Sequence, residues 1–551
     1  MRFSPLRNTL PLACAALMFA SACGSDAEPV GNLSVADADY VKAVDNKGDA
    51  SAVAVFVNFE FDGELITASS WRPEAQIEDQ MLYTIGHLNG SNAVGRLDTM
   101  TLSNVQSERL ADGTTKVSYH AILPVAWGSK TNVPSSYKLT LPVNMSQDSL
   151  NEFAEKYGHT CVDFGAHEVD SGSMWYYFRP NRSGCSFEEG VTLTTNATVT
   201  LSDINTSGKY PEYDKVWEDD ALKVVAVFGK YEDGATSSSD AGISAYNRFI
   251  SVMKTELSIL GDVETVPALV PNAPGVAAPD VTFRGVMPDG KTVEVVAILV
   301  DNVRTAPASF TTRYENLSGD ADLIVYNGHA GLGSNVRALA QKGKWVEGQY
   351  SIVFMNGCDS YAYIDSAMWD ARAEVNSDDP TGTKHLDIVT NAMPSFFREM
   401  SNATTQLVRA LIDHDSPKTY EQIFEKIDQS EVILVSGEQD NKFVPGAEPG
   451  EPANDAWEGL SDRGSVARGE EKRFTTGVVA AGKYVFELNG DNDADLYVRV
   501  GNEPTLTEYD CRPYKSGSKE SCAVEINAPT TINVMVQGWK ASSYTLDGKR
   551  L

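Results

Sequence analysis

The alternation of apolar and polar residues divides the chain into regions of different architecture. Between residues 37 and 213, apolar side chains recur at every second position, as in Ser51–Phe61 and Lys116–Leu123. This period is typical of strands that bury one face. One helical piece is expected in this region, over Ser149–Tyr157. We therefore predict a β-rich N-terminal domain over residues 37–213, whose role the pattern does not indicate.

Residues 214–445 alternate buried strands with helices. Leu222–Phe228 is a nearly continuous apolar run, as expected for a strand inside a parallel sheet. Residues 238–260 place their apolar side chains on one helical face, with Ser239 or Asp240 as the cap. The alternation predicts a mostly parallel sheet that is covered on both faces. The other expected strands are Val281–Val286, Thr292–Val300, Leu323–Tyr326, Tyr350–Met355, Leu386–Thr390 and Glu431–Ser436, and the other expected helices are a short one capped by Ser334, Pro394–Asp413 and Thr419–Ile427.

The last part of the chain is separated from the rest by a stretch rich in proline, glycine and glutamate. Residues 446–462 are a linker by composition, and residues 463–551 have an all-β pattern. A chain of 551 residues is too long for one core, in agreement with several domains. The predicted fold class is multidomain: a β-rich N-terminal domain, an α/β domain with a mostly parallel sheet, and a C-terminal β-sandwich.

The formal net charge of −31 is spread along the chain. Such a charge favours solubility, and it argues against nucleic acid or an anionic membrane surface as the main partner. We therefore expect no nucleic-acid partner.

Residues 1–22 have the parts of an export signal. Arg2 and Arg7 supply the positive start, and Leu10–Ala20 is an apolar stretch too short to span a bilayer. No later segment approaches the roughly 18 continuous apolar residues of a membrane-spanning helix. The protein is therefore expected to work outside the cytoplasm.

The signal ends in Ala20-Ser-Ala-Cys23, which resembles the bacterial lipobox. The resemblance implies that Cys23 is lipidated and becomes the mature N-terminus, anchored to an envelope membrane, with residues 23–36 as a polar tether. The alternative is ordinary cleavage after Ala22, which would release a secreted protein.

The remaining cysteines indicate which thiol is free. Two pairs lie in turn-rich stretches that suit disulfides in an oxidising compartment. Cys358 is left over, and an unpaired thiol in an exported protein is a liability unless it is buried or used. The predicted disulfides are Cys161–Cys185 and Cys511–Cys522.

Two predicted strands end in small-residue turns that each carry a reactive side chain. Leu323–Tyr326 leads into Asn-Gly-His329-Ala330-Gly, and Tyr350–Met355 leads into Asn-Gly-Cys358. In a parallel α/β sheet, functional residues gather at the carboxyl ends of strands, and neighbouring strands lie about 4.8 Å apart. The two turns can therefore bring an imidazole to a thiol, as nucleophilic catalysis by cysteine requires.

A hydrophobic block ending in histidine and a small residue, followed by a second ending in Gly-Cys, resembles the caspase-like clan of cysteine peptidases, and most closely its gingipain-like branch. The resemblance implies that His329 and Cys358 are the catalytic dyad, and that the backbone N–H groups of Ala330 and Cys358 form the oxyanion hole. Ala330 stands where the family usually has glycine, but its N–H can still donate. The implied function is an exported cysteine endopeptidase that acts on protein or peptide substrates without a cofactor.

The alternative function is a surface-displayed binding or adhesion lipoprotein whose caspase-like domain is catalytically inactive. The other histidines have no spacing that suits metal ligation, and we interpret them as structural: His87, His120, His159, His167, His385 and His414.

The C-terminal region has a resemblance of its own. Phe486–Val500, Tyr509–Tyr514 and Asn533–Trp539 are similar to the bacterial pre-peptidase C-terminal domain, a small β-sandwich appended to secreted peptidases. Some members of that family bind calcium. Acidic turn residues are the favoured interpretation of the candidate calcium ligands here, Asp491, Asp493 and Asp495.

Overall fold

The computed structural model describes most of the chain after residue 47. The predicted signal peptide, Cys23, most of the tether and most of the linker lie outside the described residues. Within the described part of the chain, no helix is long and apolar enough to cross a membrane. The described residues are 32–33, 41–42, 48–68, 71–166, 168–437, 441, 443–445, 457, 459–513, 515–526 and 529–550.

The N-terminal region is built around a six-stranded antiparallel sheet. Its strand order is β5-β7-β4-β10-β9, and β6 pairs with another part of β7, on the same edge of that strand as β5. Strands β1 and β8 form a small pair, as do β2 and β11. The strands are β1 (Asn32–Leu33), β2 (Val41–Lys42), β3 (Ala50–Ser51), β4 (Val55–Thr67), β5 (Ala93–Gly95), β6 (Thr101–Arg109), β7 (Thr115–Trp127), β8 (Val133–Pro134), β9 (Ser136–Pro142), β10 (Thr192–Leu201) and β11 (Thr206–Ser207), and the helices are α1 (Pro73–Asn89), α2 (Gln147–Tyr157), α3 (Met174–Tyr177) and α4 (Tyr213–Val216).

Helix α1 corrects the expectation that this region consists of strands with one helical piece. It is 17 residues long, with Pro73 at its first turn, where a missing N–H costs nothing. Ile77, Met81, Ile85 and Leu88 are all buried and follow one another at helical spacing. The helical period was therefore present in the sequence, although the region as a whole alternates like strands.

The central region contains a nine-stranded sheet with helices on both faces. Its strand order is β13-β14-β15-β12-β16-β17-β18-β19-β3. The strands are β12 (Ala221–Gly229), β13 (Val263–Val266), β14 (Asp280–Val286), β15 (Thr292–Val300), β16 (Leu323–Asn327), β17 (Ser351–Asn356), β18 (Leu386–Asn391) and β19 (Ile433–Gly437), and the helices are α5 (Ala241–Leu260), α6 (Ala308–Ser318), α7 (Ser334–Lys342), α8 (Ser366–Val375), α9 (Phe397–Ile412) and α10 (Tyr420–Phe424).

This sheet is mixed, which corrects the prediction of a mostly parallel sheet. The five central strands, β15 to β18 in the spatial order above, are parallel, whereas both edges are antiparallel. At one edge, β14 and β15 are joined by the short turn around Gly290, whose φ is 95°. Such a turn can only form an antiparallel hairpin, because a parallel connection needs a crossover of a dozen residues or more.

Alternate residues of the central strands pack into two different hydrophobic cores, one on each face of the sheet. Val224, Ala226 and Phe228 of β12 pack on the face that carries α5, α9 and α10. Val225 and Val227 point to the other face, where their core also includes α6, α7, α8 and the N-terminal sheet. The N-terminal region therefore packs on one face of the central sheet through a continuous apolar core.

The N-terminal region also contributes an edge strand to the central sheet. Strand β3 pairs antiparallel with β19, Ala50 opposite Val435. Next to it, the buried Asp49 accepts a hydrogen bond from the Tyr361 hydroxyl at 3.2 Å. The division at residue 213 stays a prediction, but these contacts join the two regions.

A buried ion pair ties the end of the N-terminal region to the same sheet. Lys209 Nζ lies 2.9 Å from Asp387 Oδ1, and both side chains are almost inaccessible to solvent. The hydroxyls of Tyr350 and Tyr420 donate to the other carboxylate oxygen of Asp387 at 2.8 and 2.6 Å. The charge on Asp387 is thus compensated by one cation and two donors, as a buried charge requires.

The C-terminal region consists of two antiparallel sheets that share one core. The four-stranded sheet has the order β20-β26-β22-β24 and the three-stranded sheet the order β21-β25-β23. The strands are β20 (Leu460–Val466), β21 (Glu471–Val479), β22 (Gly482–Gly490), β23 (Ala494–Val500), β24 (Glu520–Ile526), β25 (Thr530–Gly538) and β26 (Ser542–Arg550).

Candidate active site

The turns that carry His329 and Cys358 lie side by side at the carboxyl end of the central sheet. Strands β16 and β17 are adjacent and parallel, with Asn327 opposite Asn356, so His329 and Cys358 each follow a matched position by two residues. Gly357 allows the close approach, because a Cβ there would lie 2.9 Å from the Gly328 carbonyl oxygen. The structure thus brings together the two turns that the sequence singled out.

A buried polar network holds these two turns and a third loop together. The Asn356 amide donates to Asn327 Oδ1 at 2.8 Å, and the Asn327 amide donates to Thr404 of α9 at 2.9 Å. Ser395 donates its hydroxyl to Asn356 Oδ1 at 2.7 Å. Because all four side chains are buried and hydrogen-bonded, the network fixes the loop around Ser395 beside the end of β17.

The imidazole of His329 is exposed and held between two aromatic rings. Its Nε2 lies 3.1 Å from the backbone carbonyl oxygen of Tyr231. The ring centroids of Tyr231 and Phe397 lie 5.1 and 5.0 Å from that of His329. A carbonyl only accepts, so Nε2 carries the proton in this hydrogen bond, and in the neutral ring Nδ1 is the basic nitrogen.

Cys358 has the free thiol, and the structure leaves it partly buried. Its Sγ donates to the Ser395 carbonyl at 3.7 Å. Burial, followed by the nearby charge of Asp359, raises the pKa of the Cys358 thiol to about 11. Across the described residues, the thiol and the His329 imidazole hydrogen-bond to these separate carbonyls and not to each other. The raised pKa leaves the thiol neutral at neutral pH.

Asp359 is a buried carboxylate directly beside the thiol. It begins a short 3-10 helix with φ 52°, a left-handed conformation that aspartate tolerates better than most residues. It is fully buried, and within the described part of the chain neither carboxylate oxygen has a hydrogen-bond partner of good geometry. Burial raises the pKa of Asp359 to about 6, with Asn89 and Tyr176 opposing the shift.

Two backbone N–H groups beside the thiol are available as donors. Over the described residues, the amide nitrogens of Ala330 and Cys358 donate to no protein acceptor. Ala330 is buried, and its nitrogen would lie only 3.2 Å from a Cβ on Gly357. These are the two amides that the sequence proposes for an oxyanion hole, and the structure places them on adjacent turns.

Residues of the N-terminal region reach this site, which the sequence did not indicate. Helix α3 brings Tyr176 and Tyr177 close enough to Cys358 to interact electrostatically with its thiol. Ser395 and Tyr231 were also missed, because each contributes a backbone carbonyl and a carbonyl has no sequence signature. Only Asp359 could have been found, since it follows Cys358 directly.

Both predicted disulfides are present and Cys358 is free. Cys161 joins Cys185, and Cys511 joins Cys522. The first bond closes the loop that contains α3, so it lies on the part of the N-terminal region that reaches Cys358.

His87, His414 and His120, which we interpret as structural, have side-chain partners among the described residues. His87 is buried against Tyr137 and Thr140, and burial lowers its pKa to about 4. His414 lies 3.1 Å from Asp289. His120 is bracketed by Asp62 and Glu60 at the wall of a hollow of about 420 Å³ on the N-terminal sheet. His167 lies outside the described residues.

The acidic residues at the start of β23 are used within the C-terminal region. Asp495 pairs with Arg512 at 3.0 Å, and Asp493 lies 3.4 Å from Lys540. Asp491 accepts a hydrogen bond from the Ser543 backbone at 2.8 Å. Over the described ranges, no group of three or more histidine, cysteine, aspartate or glutamate side chains could hold a metal ion.

Comparison with known proteins identifies the C-terminal part of the chain. Residues 473–538 match the family described as "Bacterial pre-peptidase C-terminal domain". The C-terminal region is a bacterial pre-peptidase C-terminal domain. In solved structures, this domain is similar to "Solution structure of vEP C-ter 100", at 36% identity over 17% of this chain and 93% of that one, with a TM-score of 0.15. It is also similar to the "pre-Peptidase C-terminal Domain of Collagenase from Bacillus anthracis", at 16% identity over 18% of this chain and 99% of that one, with a TM-score of 0.15.

The curated relatives that share this domain are proteases by name. A "Zinc metalloprotease" of Helicobacter pylori is 42% identical over 76 residues, which is 14% of this chain and 30% of that protein. A "Hemagglutinin/proteinase" of Vibrio cholerae is 42% identical over 76 residues, 14% of this chain and 12% of that protein. A "Neutral protease" of Vibrio proteolyticus is 54% identical over 50 residues, 9% of this chain and 8% of that protein. The chain thus spans less than a third of the length of these relatives, and the shared part is the pre-peptidase C-terminal domain.

Proposed function

We propose that this chain is an exported cysteine endopeptidase of the caspase-like type, with Cys358 as the nucleophile and His329 as its acid/base partner. One observation carries the proposal. Two adjacent parallel strands end in register, and each is followed two residues later by one member of the dyad. The free amides of Ala330 and Cys358 on the same turns support it, since acyl transfer needs donors for the developing oxyanion.

The chemistry follows from the assigned atoms. His329 Nδ1 takes the proton from the Cys358 thiol, and the sulfur attacks the carbonyl carbon of the scissile peptide. The carbonyl oxygen becomes an oxyanion that accepts from the two amides. The imidazolium then gives its proton to the leaving amine, which leaves an acyl thioester on Cys358. Water, deprotonated by His329, hydrolyses the thioester and releases the carboxylic acid with the thiol restored.

The proposed site of action is outside the cytoplasm. Two disulfides suit an oxidising compartment, and the pre-peptidase C-terminal domain is shared with proteins named as proteases. The proposed anchor is a lipid on Cys23, which lies outside the described residues. Mass spectrometry of the mature N-terminus should find an acylated Cys23, whereas an unmodified N-terminus in a membrane-free fraction would reject the anchor.

The resting geometry of the dyad also suits an alternative function, in which the caspase-like domain is inactive. The thiol is neutral and bound to the Ser395 carbonyl, and the imidazole is bound to the Tyr231 carbonyl, so no thiolate–imidazolium pair is formed. A binding or adhesion lipoprotein with an inactive caspase-like domain would show the same arrangement.

Hydrolysis by the purified full-length protein decides between the two. A quenched fluorescent peptide library should reveal cleavage, and Cys358→Ala and His329→Ala should each lower turnover by about 10⁴–10⁶-fold, because the pair acts as one unit. His414→Ala is the matched control, since that imidazole pairs with Asp289 elsewhere, and it should keep the parent's turnover. Cleavage that survives in a folded Cys358→Ala protein would refute the peptidase and leave the binding lipoprotein.

A further inference from the structure

The segment between Cys161 and Cys185 lies over the thiol of Cys358. Its helix α3 places the Tyr176 hydroxyl beside the sulfur, with Tyr177 next to it. The Trp175 ring meets Tyr363, which follows Cys358 on the same loop, at a centroid distance of 6.4 Å. A peptide carbon must come within about 3–3.5 Å of the sulfur for attack, and Tyr176 already occupies space beside it.

The segment is held in shape by contacts within itself and packs on helix α1. The disulfide closes its two ends. Arg179 forms an ion pair with Asp163 at 3.4 Å, and the Arg179 backbone donates to the Cys161 carbonyl at 2.8 Å. Helix α1 packs directly on its backbone, because a Cβ on Gly86 would lie 2.4 Å from the Trp175 carbonyl oxygen. The tyrosines therefore lie on a braced segment.

Burial keeps the thiol beneath the segment neutral, and the hydrogen bond from Tyr176, which lowers the thiol's pKa, offsets only part of that effect. Burial, and then the charge of Asp359, raises the pKa of Tyr176 far above its ordinary range, so its hydroxyl stays protonated. The pKa of Cys358 is raised from 9.0 to about 11, which leaves about a hundredfold less thiolate than an ordinary thiol has. Since the thiolate is the reactive form, the covered thiol reacts about a hundredfold more slowly than an ordinary thiol.

We propose that the disulfide-closed segment Cys161–Cys185 is an internal cover that slows the reactions of Cys358, and that displacement of Tyr176 and Tyr177 opens the site fully. This inference concerns regulation of the same site as the proposed peptidase function and rests on that function. It gives the N-terminal region the role of controlling access to the nucleophile.

Alkylation of Cys358 in oxidised, full-length protein tests the cover without requiring hydrolysis. The probes are iodoacetamide and a bulky maleimide, with the Cys358 peptide quantified by mass spectrometry. Tyr176→Ala combined with Tyr177→Ala should raise both rates by about 10–100-fold, because the relief of burial outweighs the loss of the Tyr176 hydrogen bond, which by itself lowers the pKa of the thiol. Phe164→Ala is the matched control on the same segment, since that ring is 89% exposed, and it should leave the rates unchanged.

A second pair of variants leaves both tyrosines in place. These variants provide the test if the double tyrosine variant does not fold. Gly86→Ala forces the segment away from α1 and should raise the alkylation rates in the same direction. Gly165→Ala, where the added carbon meets only Asp163 at 3.4 Å, should not.

The outcomes distinguish a failure of the cover proposal from a failure of the peptidase proposal. Unchanged rates in folded variants overturn the cover, and slower rates overturn it by showing that the tyrosines activate the thiol. Faster alkylation without hydrolysis of any library peptide supports the cover and refutes the peptidase. Hydrolysis by the parent at the same rate as by the tyrosine variant refutes the cover and leaves the peptidase standing.

Discussion

Replacing Asp359 by asparagine should stabilise the protein at neutral pH. Burial raises the pKa of this carboxyl from 3.8 to about 6, so the folded state binds the proton more tightly than the unfolded chain does. Stability is therefore lost as pH rises above 3.8, and the full loss is reached above pH 6. The difference corresponds to about 3 kcal/mol. Asparagine has nearly the same shape without the charge, so the variant should gain that amount at pH 8 and only about 0.5 kcal/mol at pH 4.

Urea unfolding followed by intrinsic fluorescence at pH 8, 6 and 4 measures this difference. Glu315→Gln on α6 is the control, because Glu315 is exposed and its substitution should leave the unfolding free energy unchanged at each pH. A gain that does not shrink towards pH 4, or a loss at pH 8, would show that the folded protein compensates the Asp359 charge and that the reasoning is wrong.

Three further variants test the packing of the N-terminal and central regions, each through the urea midpoint. Asp387→Ala should lose about 3–5 kcal/mol, since it leaves the buried Lys209 ammonium without its counter-ion. Gly242→Ala at the start of α5 should lose about 1–3 kcal/mol, because the new Cβ would lie 2.1 Å from a backbone oxygen at the end of β12. Serine at both Cys161 and Cys185 should lose about 3 kcal/mol in the chain-entropy description of disulfides, and an unchanged midpoint would show that the loop is ordered without its bond.

Local patterns predicted the elements that lie within one stretch of sequence. The apolar run from Leu222 became β12. The helix expected over residues 238–260 is α5, and its N-cap is Asp240, whose side chain accepts from the Ile243 backbone at 2.9 Å. Each of these elements satisfies its own hydrogen bonds and buries a face that the period reveals, so few distant residues are needed to specify it.

Pairings between distant segments could not be predicted in this way. Strand β3 is only two residues long and joins β19 almost four hundred residues later, so neither period nor composition marks it. The turns of His329 and Cys358 could be predicted from the sequence because both follow strong apolar strands that are neighbours in sequence as well as in space. The position of Tyr176 beside Cys358 could not be predicted, since it depends on how the N-terminal region packs on the central sheet.

The buried charge of Asp359 favours opening of the covering segment, although it also raises the pKa of the Cys358 thiol. Asn89, Tyr176, Arg179 and Cys358 surround the carboxyl, and all but Cys358 belong to the N-terminal region. Opening the cover would hydrate Asp359 and recover the cost of burying its charge, so above pH 6 this residue makes opening easier. In the Asp359→Asn variant the cover should therefore be held more tightly, while the pKa of the Cys358 thiol should be lower.

The ratio of the two alkylation rates at pH 8 distinguishes these two effects. The iodoacetamide rate follows mainly the thiolate fraction, and the bulky maleimide also needs the cover to open. The maleimide rate should fall relative to the iodoacetamide rate in the variant, and an unchanged ratio would mean that Asp359 tunes the thiol without influencing the cover.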